Sequence, residues 1–232
     1  MKIQIYTMQT PDEALAAIDA GVDHIGITPR SITPSLQGLP GEVDFATARA
    51  IRDAVGDKAL RIALTVDTEL DPIVQMVRAV EPDVLHLCPL AGMFPPQKVA
   101  QLSEMIPHTL IMQAISVADS SAIDEAVAYD PFVNFLILDT QAPDIAGIGA
   151  SGKTHDWNIS REIVQRVSAP VILAGGLSPQ NVAEAVRAVR PYGVDSLTYT
   201  NQPLKGGGFR KDIDKIRAFA ANARAAAQES HP

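Results

Sequence analysis

The chain has one cysteine, Cys88, so no internal disulfide can form, which agrees with a reducing compartment. Aromatic residues make up 5% of the total, and 19 Lys and Arg face 27 Asp and Glu, a formal net charge of -8. Such a surface lacks the basic field that nucleic acids and anionic membranes require. Neither partner is expected, and an anionic ligand must be met by a local site. No apolar run approaches the ~20 residues of a membrane-spanning helix, and the opening MKIQIYTMQTPDEAL lacks the long uncharged core of a signal peptide. The expected location is the cytoplasm. No metal is expected either, because His24, His86, His108, His155 and His231 stand in unrelated settings without chelating spacing.

What is present is a repeated grammar of strand, short loop and helix. After a β-prone stretch from Lys2 to Tyr6, Thr10 can cap a helix, Pro11 suits its first position, Glu13 can close a capping box and Gly21 sits where the helix would stop. Apolar strand segments recur at His24 to Ile27, Ile62 to Val66, Val84 to Leu87, Leu110 to Ala114, Phe135 to Leu138, Val171 to Leu173 and Val194 to Leu197. With the first, that makes eight. Strands alternating with helices favour parallel pairing, and eight units suggest closure. A doubly wound sheet competes, but no Gly-x-Gly-x-x-Gly turn follows the first strand. No linker or composition shift divides the chain, so the expected fold is one (β/α)8 TIM barrel domain spanning residues 1–232.

Two connections break the regular spacing, Thr28 to Val43 and Thr140 to Asn158; at the carboxyl ends of barrel strands such loops are candidate lids. Ile213, Ile216 and Phe219 lie at helical spacing near the end, which suits a helix closing the barrel. Monomer and homodimer both remain open.

Three places could carry chemistry. Gly175-Gly176-Leu177-Ser178, between the seventh strand and its helix, reads as a phosphate grip, since glycine lets backbone N–H groups approach an anion and Ser178 can cap. The plainer reading is a connecting turn. Asp139 ends the apolar run Phe135-Leu136-Ile137-Leu138, where desolvation would raise its pKa towards general acid or base use; alternatively it fixes loop N–H groups. His86 and Cys88 alternate on the fourth strand and point to one side, either as a catalytic pair or as a satisfied histidine beside a small buried hydrophobe.

Leu138-Asp139-Thr140, Gly147 to Gly152, Asp156-Trp157, Gly175-Gly176-Leu177 with Asn181-Val182, Arg190-Pro191 and Val194-Asp195 together resemble the phosphoribosylanthranilate isomerase family across almost the whole chain. Pro29-Arg30 with Thr33-Pro34 resembles that family's arginine loop. The resemblance implies a cofactor-free Amadori rearrangement, in which an aminoaldose phosphate becomes an aminoketose phosphate. It makes Asp139 the general acid and Arg30 a substrate-orienting residue. Gln113 on the fifth strand joins Arg30 as a substrate-binding candidate, and Gly175, Gly176, Ser178 and Thr198 as phosphate-binding ones.

The departures lie at the strand ends. Tyr6 stands where the family has its catalytic cysteine, His86 replaces a glutamine and Cys88 a histidine. Leu197-Thr198-Tyr199-Thr200-Asn201 rewrites a Ser-Ser-Gly-Val-Glu phosphate loop, with Thr198, Thr200 and Lys205 as substitute donors. The expected function is an isomerase or epimerase of another phosphorylated sugar derivative, with His86, Tyr6 or Cys88 as partner to Asp139. The alternatives are the family's own reaction with a relocated base and a non-catalytic phosphometabolite-binding protein. A Schiff-base lyase through Lys153 is disfavoured, since the sequence carries no evidence of the depressed pKa that it requires.

Overall fold

The structure, a computed structural model, describes residues 1–140, 148 and 154–229. Strands β1 (Lys2–Ile5), β2 (His24–Ile27), β3 (Leu60–Thr65), β4 (Val84–Leu87), β5 (Leu110–Ser116), β6 (Phe135–Asp139), β7 (Val171–Leu173) and β8 (Gly193–Ser196) close one barrel in chain order, all parallel. The helices between and after them are α1 (Pro11–Asp19), α2 (Phe45–Val55), α3 (Leu70–Val80), α4 (Pro96–Met105), α5 (Ser121–Tyr129), α6 (Trp157–Arg166), α7 (Val182–Val189) and α8 (Ile213–Glu229). The expected TIM barrel is what the chain forms.

Strands covered on both faces read as continuous apolar runs, and the period of two decides which layer each residue enters. On β4, Leu85 and Leu87 pack into the barrel–helix layer, while Val84 faces the lumen with Ile62, Met112, Ile137 and Ile172. That apolar plug fills the barrel floor. The next lumen-facing positions towards the carboxyl ends, Tyr6, His86 and Asp139, stand above it and build the site.

Helix starts follow their sequence signals. Thr10 Oγ1 accepts from the Glu13 N–H at 3.1 Å, opening α1. The expected capping box closes one residue early: Glu13 accepts from the Gln9 N–H at 3.0 Å, and its other oxygen takes the Lys211 N–H at 2.9 Å. Replacing Thr10 by Ala should lower stability by about 1 kcal/mol, read as a shift of the denaturant midpoint at constant m. In α8, Ile216 and Phe219 are buried with Ala220, Ala223 and Ala226, packed on α7 and α1, as a barrel-closing helix requires. Among the described residues no helix is long and apolar enough to cross a membrane.

One element was not foreseen. A two-stranded antiparallel hairpin, β9 (Asn201–Pro203) and β10 (Phe209–Lys211), stands between β8 and α8. Its strands, Asn-Gln-Pro and Phe-Arg-Lys, are too short and polar to show alternation.

Candidate active site

The carboxyl ends of the strands surround a cavity walled by Tyr6, Thr28, His86, Cys88, Asp139 and Asp195, with Leu39 and Pro40 of the long loop after β2 at its edge. The loop's position at the mouth matches its expected place. Ser31 and Thr33 hold it through Asp67, whose carboxylate accepts their hydroxyls at 2.8 and 2.7 Å. Of the second long connection, residues 141–147 and 149–153 lie outside the described residues, and with them Lys153 and most of the Gly147 to Gly152 segment; His231 lies outside as well. Ile148 is described: it lines the cavity, and its carbonyl accepts the Cys88 thiol at 2.8 Å.

Asp139 ends β6 facing this space. Burial pushes its carboxyl up to about 7, with the Thr140 N–H at 2.6 Å only partly opposing. Asp195, on β8, is 6% exposed and faces the same cavity. Burial, and then the charge of Asp139, hold its carboxyl well above the ordinary range. Residue identity gave a hint, a carboxylate between Val194 and Ser196 in a buried strand, but only the register of β8 shows that it shares a cavity with Asp139.

Tyr6 fills the place where a small residue was expected from the resemblance. Its ring is 4% exposed and lies over Gly26 of β2, where a Cβ would come within 2.3 to 2.5 Å of three ring atoms. Its hydroxyl meets His86 Nδ1 at 3.0 Å. Burial, then Asp195 and Cys88, raise the phenol well above 10. Burial lowers His86 to about 3, and burial with Asp139 raises Cys88 to about 12. At neutral pH all three are uncharged, so none of the three sequence candidates is a ready base.

One substrate-binding expectation, Gln113, is corrected by placement, and the other, Arg30, lies beyond the cavity wall. Gln113 shares the outward face of β5 with Ile111 and Ile115, whereas Met112 and Ala114 face the lumen, so the strand's period of two keeps it out of the cavity wall. Arg30 is half-exposed and paired with Glu42 at 2.8 Å, and it is not among the cavity's lining residues.

A smaller cavity adjoins the first between the loops after β7 and β8, lined by Asp139, Gly175, Gly176, Asp195, Thr198 and Tyr199 among others. Gly175 and Gly176 have φ of 82 and 63°, and a Cβ on Gly175 would meet His155 Nδ1 and Thr140 Oγ1 at 2.9 Å, so glycine is required there twice over. The N–H groups of Gly175, Gly176 and Leu177 make no hydrogen bond among the described residues. Ser178 spends its oxygen on the turn, accepting from the N–H groups of Gln180 and Asn181 at 3.2 and 3.3 Å, and α7 begins four residues later. Thr200 donates to the Leu197 carbonyl at 3.1 Å, and Lys205 is exposed in the hairpin turn, so of the substitute donors Thr198 is the one at the cavity.

Sequence reasoning missed Lys211. From β10 its ammonium donates to the Tyr6 carbonyl and, at 2.7 Å, to Asn201 Oδ1, fixing the end of β1 from behind. It is 5% exposed, and burial lowers it to about 7. Nothing short of the hairpin geometry could have placed it.

The family model for N-(5'-phosphoribosyl)anthranilate (PRA) isomerase matches residues 4–222. The chain is 36% identical over 218 residues to the N-(5'-phosphoribosyl)anthranilate isomerase of Haloferax volcanii, covering 94% of this chain and 90% of that one. It is 32% identical over 229 residues to that of Methanocella arvoryzae, covering 96% and 98%. In three dimensions it matches phosphoribosyl anthranilate isomerase from Thermotoga maritima with a TM-score of 0.77 at 23% identity, over 97% of this chain and 99% of that one. A further solved structure, of such an isomerase in complex with reduced 1-(o-carboxyphenylamino)-1-deoxyribulose 5-phosphate, matches with a TM-score of 0.74 at 22% identity over the same shares. With that match running through all eight strands, the chain belongs to the N-(5'-phosphoribosyl)anthranilate isomerase family.

Proposed function

We propose that this chain isomerises a phosphorylated aminoaldose of the phosphoribosylanthranilate type to the aminoketose, moving protons between Asp139 and Asp195. The observation that carries this reading is a pair of carboxyls lining one cavity whose other ionisable groups are uncharged at neutral pH. Two neighbouring carboxyls in a dry site hold one proton between them, and the environment decides which keeps it. Asp139, with a backbone N–H on its oxygen, ionises first, and its charge then holds the proton on Asp195.

The proton inventory closes. Asp195 protonates the ring oxygen as the sugar opens to an iminium, and the Asp139 carboxylate takes the proton from the second sugar carbon. The enolamine then returns its hydroxyl proton to Asp195 and receives the proton of Asp139 at the first carbon, so both residues end as they began. The phosphate group is taken by the N–H groups of Gly175, Gly176 and Leu177 with the Thr198 hydroxyl, beside the start of α7. The family relation and the phosphorylated ligand of a solved relative support this assignment.

The test is isomerisation of phosphoribosylanthranilate by the purified protein across pH. Asp139 must be ionised to accept a proton, and its carboxyl titrates near 7. The expected kcat/KM therefore rises with pH through about 7, the direction opposite to that of a site in which Asp139 must start protonated. A rate falling through that range would reverse the two roles, and a folded protein without turnover on this or any aminoaldose phosphate would leave a binding function.

A further inference from the structure

Tyr6 and His86 are left by the proton inventory without a task, yet their side chains are paired in the cavity wall. The Tyr6 hydroxyl and His86 Nδ1 lie 3.0 Å apart, and both side chains are buried. On the other side of the imidazole, Nε2 is buried with no hydrogen-bond partner among the described residues. One further residue of the cavity wall shares that condition, Thr28 at its Oγ1, whereas the Asp195 carboxyl has the Gln4 amide as a partner. Buried polar atoms are almost always paired, so two orphans around one cavity call for a ligand carrying oxygens.

The pairing also settles the tautomer. If Nδ1–H donated to the phenol oxygen, the phenol proton and the Nε2 lone pair would both be orphaned, since the Tyr6 hydroxyl has no second polar partner among the described residues. If the phenol donates to Nδ1, the only group left over is an Nε2–H. Each buried unsatisfied group is costly, so the second arrangement holds. The charge states agree with it: a phenol that keeps its proton beside an imidazole that stays neutral. Gly26 gives the Tyr6 ring the room to stand where this bond can form.

We propose that His86 serves the site as a neutral hydrogen-bond donor, its Nε2–H directed at the sugar oxygen that turns from hydroxyl into carbonyl, with Tyr6 the positioning residue that fixes this tautomer. The proposal rests on the isomerase reading above for its substrate, and on the Tyr6–His86 pair alone for its tautomer. A neutral imidazole polarises a carbonyl without delivering its proton, so the balance between Asp139 and Asp195 is unchanged. This chain thus puts an electrophile and its support at the strand ends where the family resemblance led us to expect a cysteine and a glutamine.

The experiment is long-range proton–nitrogen NMR on protein labelled with 15N-histidine, with the His86 signals identified by their loss in His86→Gln. In the free protein His86 should show the Nε2–H pattern without titrating from pH 5 to 9. In Tyr6→Phe, which removes only the hydroxyl, the pattern should become a mixture of tautomers. An Nδ1–H pattern or an imidazolium at neutral pH in the parent protein would overturn the proposal, whatever the substrate. The second arm adds 1-(o-carboxyphenylamino)-1-deoxyribulose 5-phosphate labelled with 13C at its carbonyl. The expected result is a downfield move of both the Nε2 proton and the carbonyl carbon, the latter lost in His86→Gln together with a 10- to 100-fold drop in kcat, roughly the worth of one hydrogen bond to developing charge. Binding of the ketose without either move would overturn the donor role. Failure of the ketose to bind would count against the substrate reading, while the tautomer measured without ligand still decides the pair.

Discussion

Asp139→Asn and Asp195→Asn should each cost about 10²- to 10⁴-fold in kcat on phosphoribosylanthranilate, and the double variant hardly more than the worse single one. Groups that pass the same proton act as a unit, so removing either breaks the cycle and removing both cannot break it again. Amide replacements keep volume and hydrogen bonding, which makes loss of fold a poor explanation of the result. Stability supplies an internal control. The folded-state pKa of Asp139 is raised from 3.8 to about 7, so between those values the native state binds more protons than the unfolded one. Its contribution to stability is complete below about 4 and is lost as pH climbs through 7. Asp139→Asn has no such slope and should gain melting temperature relative to the parent protein at pH 8 compared with pH 5. An inactive variant without that gain would mean that Asp139 is not the desolvated carboxyl described above. Independent, multiplying losses in the two single variants would separate Asp195 from the proton cycle.

Gly26→Ala should be among the most damaging small substitutions in this protein, by about 1–3 kcal/mol, the range for overpacking a filled interior. The added Cβ would stand 2.3 Å from Tyr6 Cδ1 and 2.5 Å from two further ring carbons. Neither partner can recoil. β2 is paired with β1 and β3 on either side, and Tyr6 is held at its carbonyl by Lys211 and at its hydroxyl by His86. Tyr6→Cys, which installs the residue expected of the family, should cost about 3–5 kcal/mol by itself through the cavity it leaves. Combined, the two should be much better than their sum, because the cysteine removes the ring that the alanine strikes. A double-mutant cycle by chemical denaturation reads this coupling directly. Additive losses would show that Gly26 is required for some reason other than the ring.

Several of these statements begin in the sequence. The strand–helix grammar was legible because parallel strands covered on both sides must be apolar runs, and Val84 to Leu87 or Val171 to Leu173 admit little else. Thr10 and Gly175-Gly176 were legible because caps and left-handed turns accept few residue types. Asp139 stood out as a carboxylate ending an uninterrupted apolar run. By contrast, Gln113 was misplaced because a residue's face on a strand depends on where the strand begins, which a sequence fixes only to within a residue or two. Lys211 went unnoticed because a polar hairpin carries no hydrophobic signature, and its ammonium is buried only once that hairpin folds over β1.

By itself the sequence determined that this chain is an eight-unit parallel barrel of the phosphoribosylanthranilate isomerase family, with Asp139 and the Gly175-Gly176 turn at the carboxyl ends of their strands and a tyrosine in place of the expected cysteine. Those are properties of local pattern: period, punctuation and residue identity. Only the tertiary structure decided that Asp195 shares a cavity with Asp139, that Tyr6 rests on Gly26 and grips His86, and that Gln113 faces away. Each of those depends on barrel closure, which sets strand register and brings residues as far apart in sequence as Tyr6 and Asp195 into the wall of one cavity. It also removes the water that would otherwise have kept their pKa values ordinary.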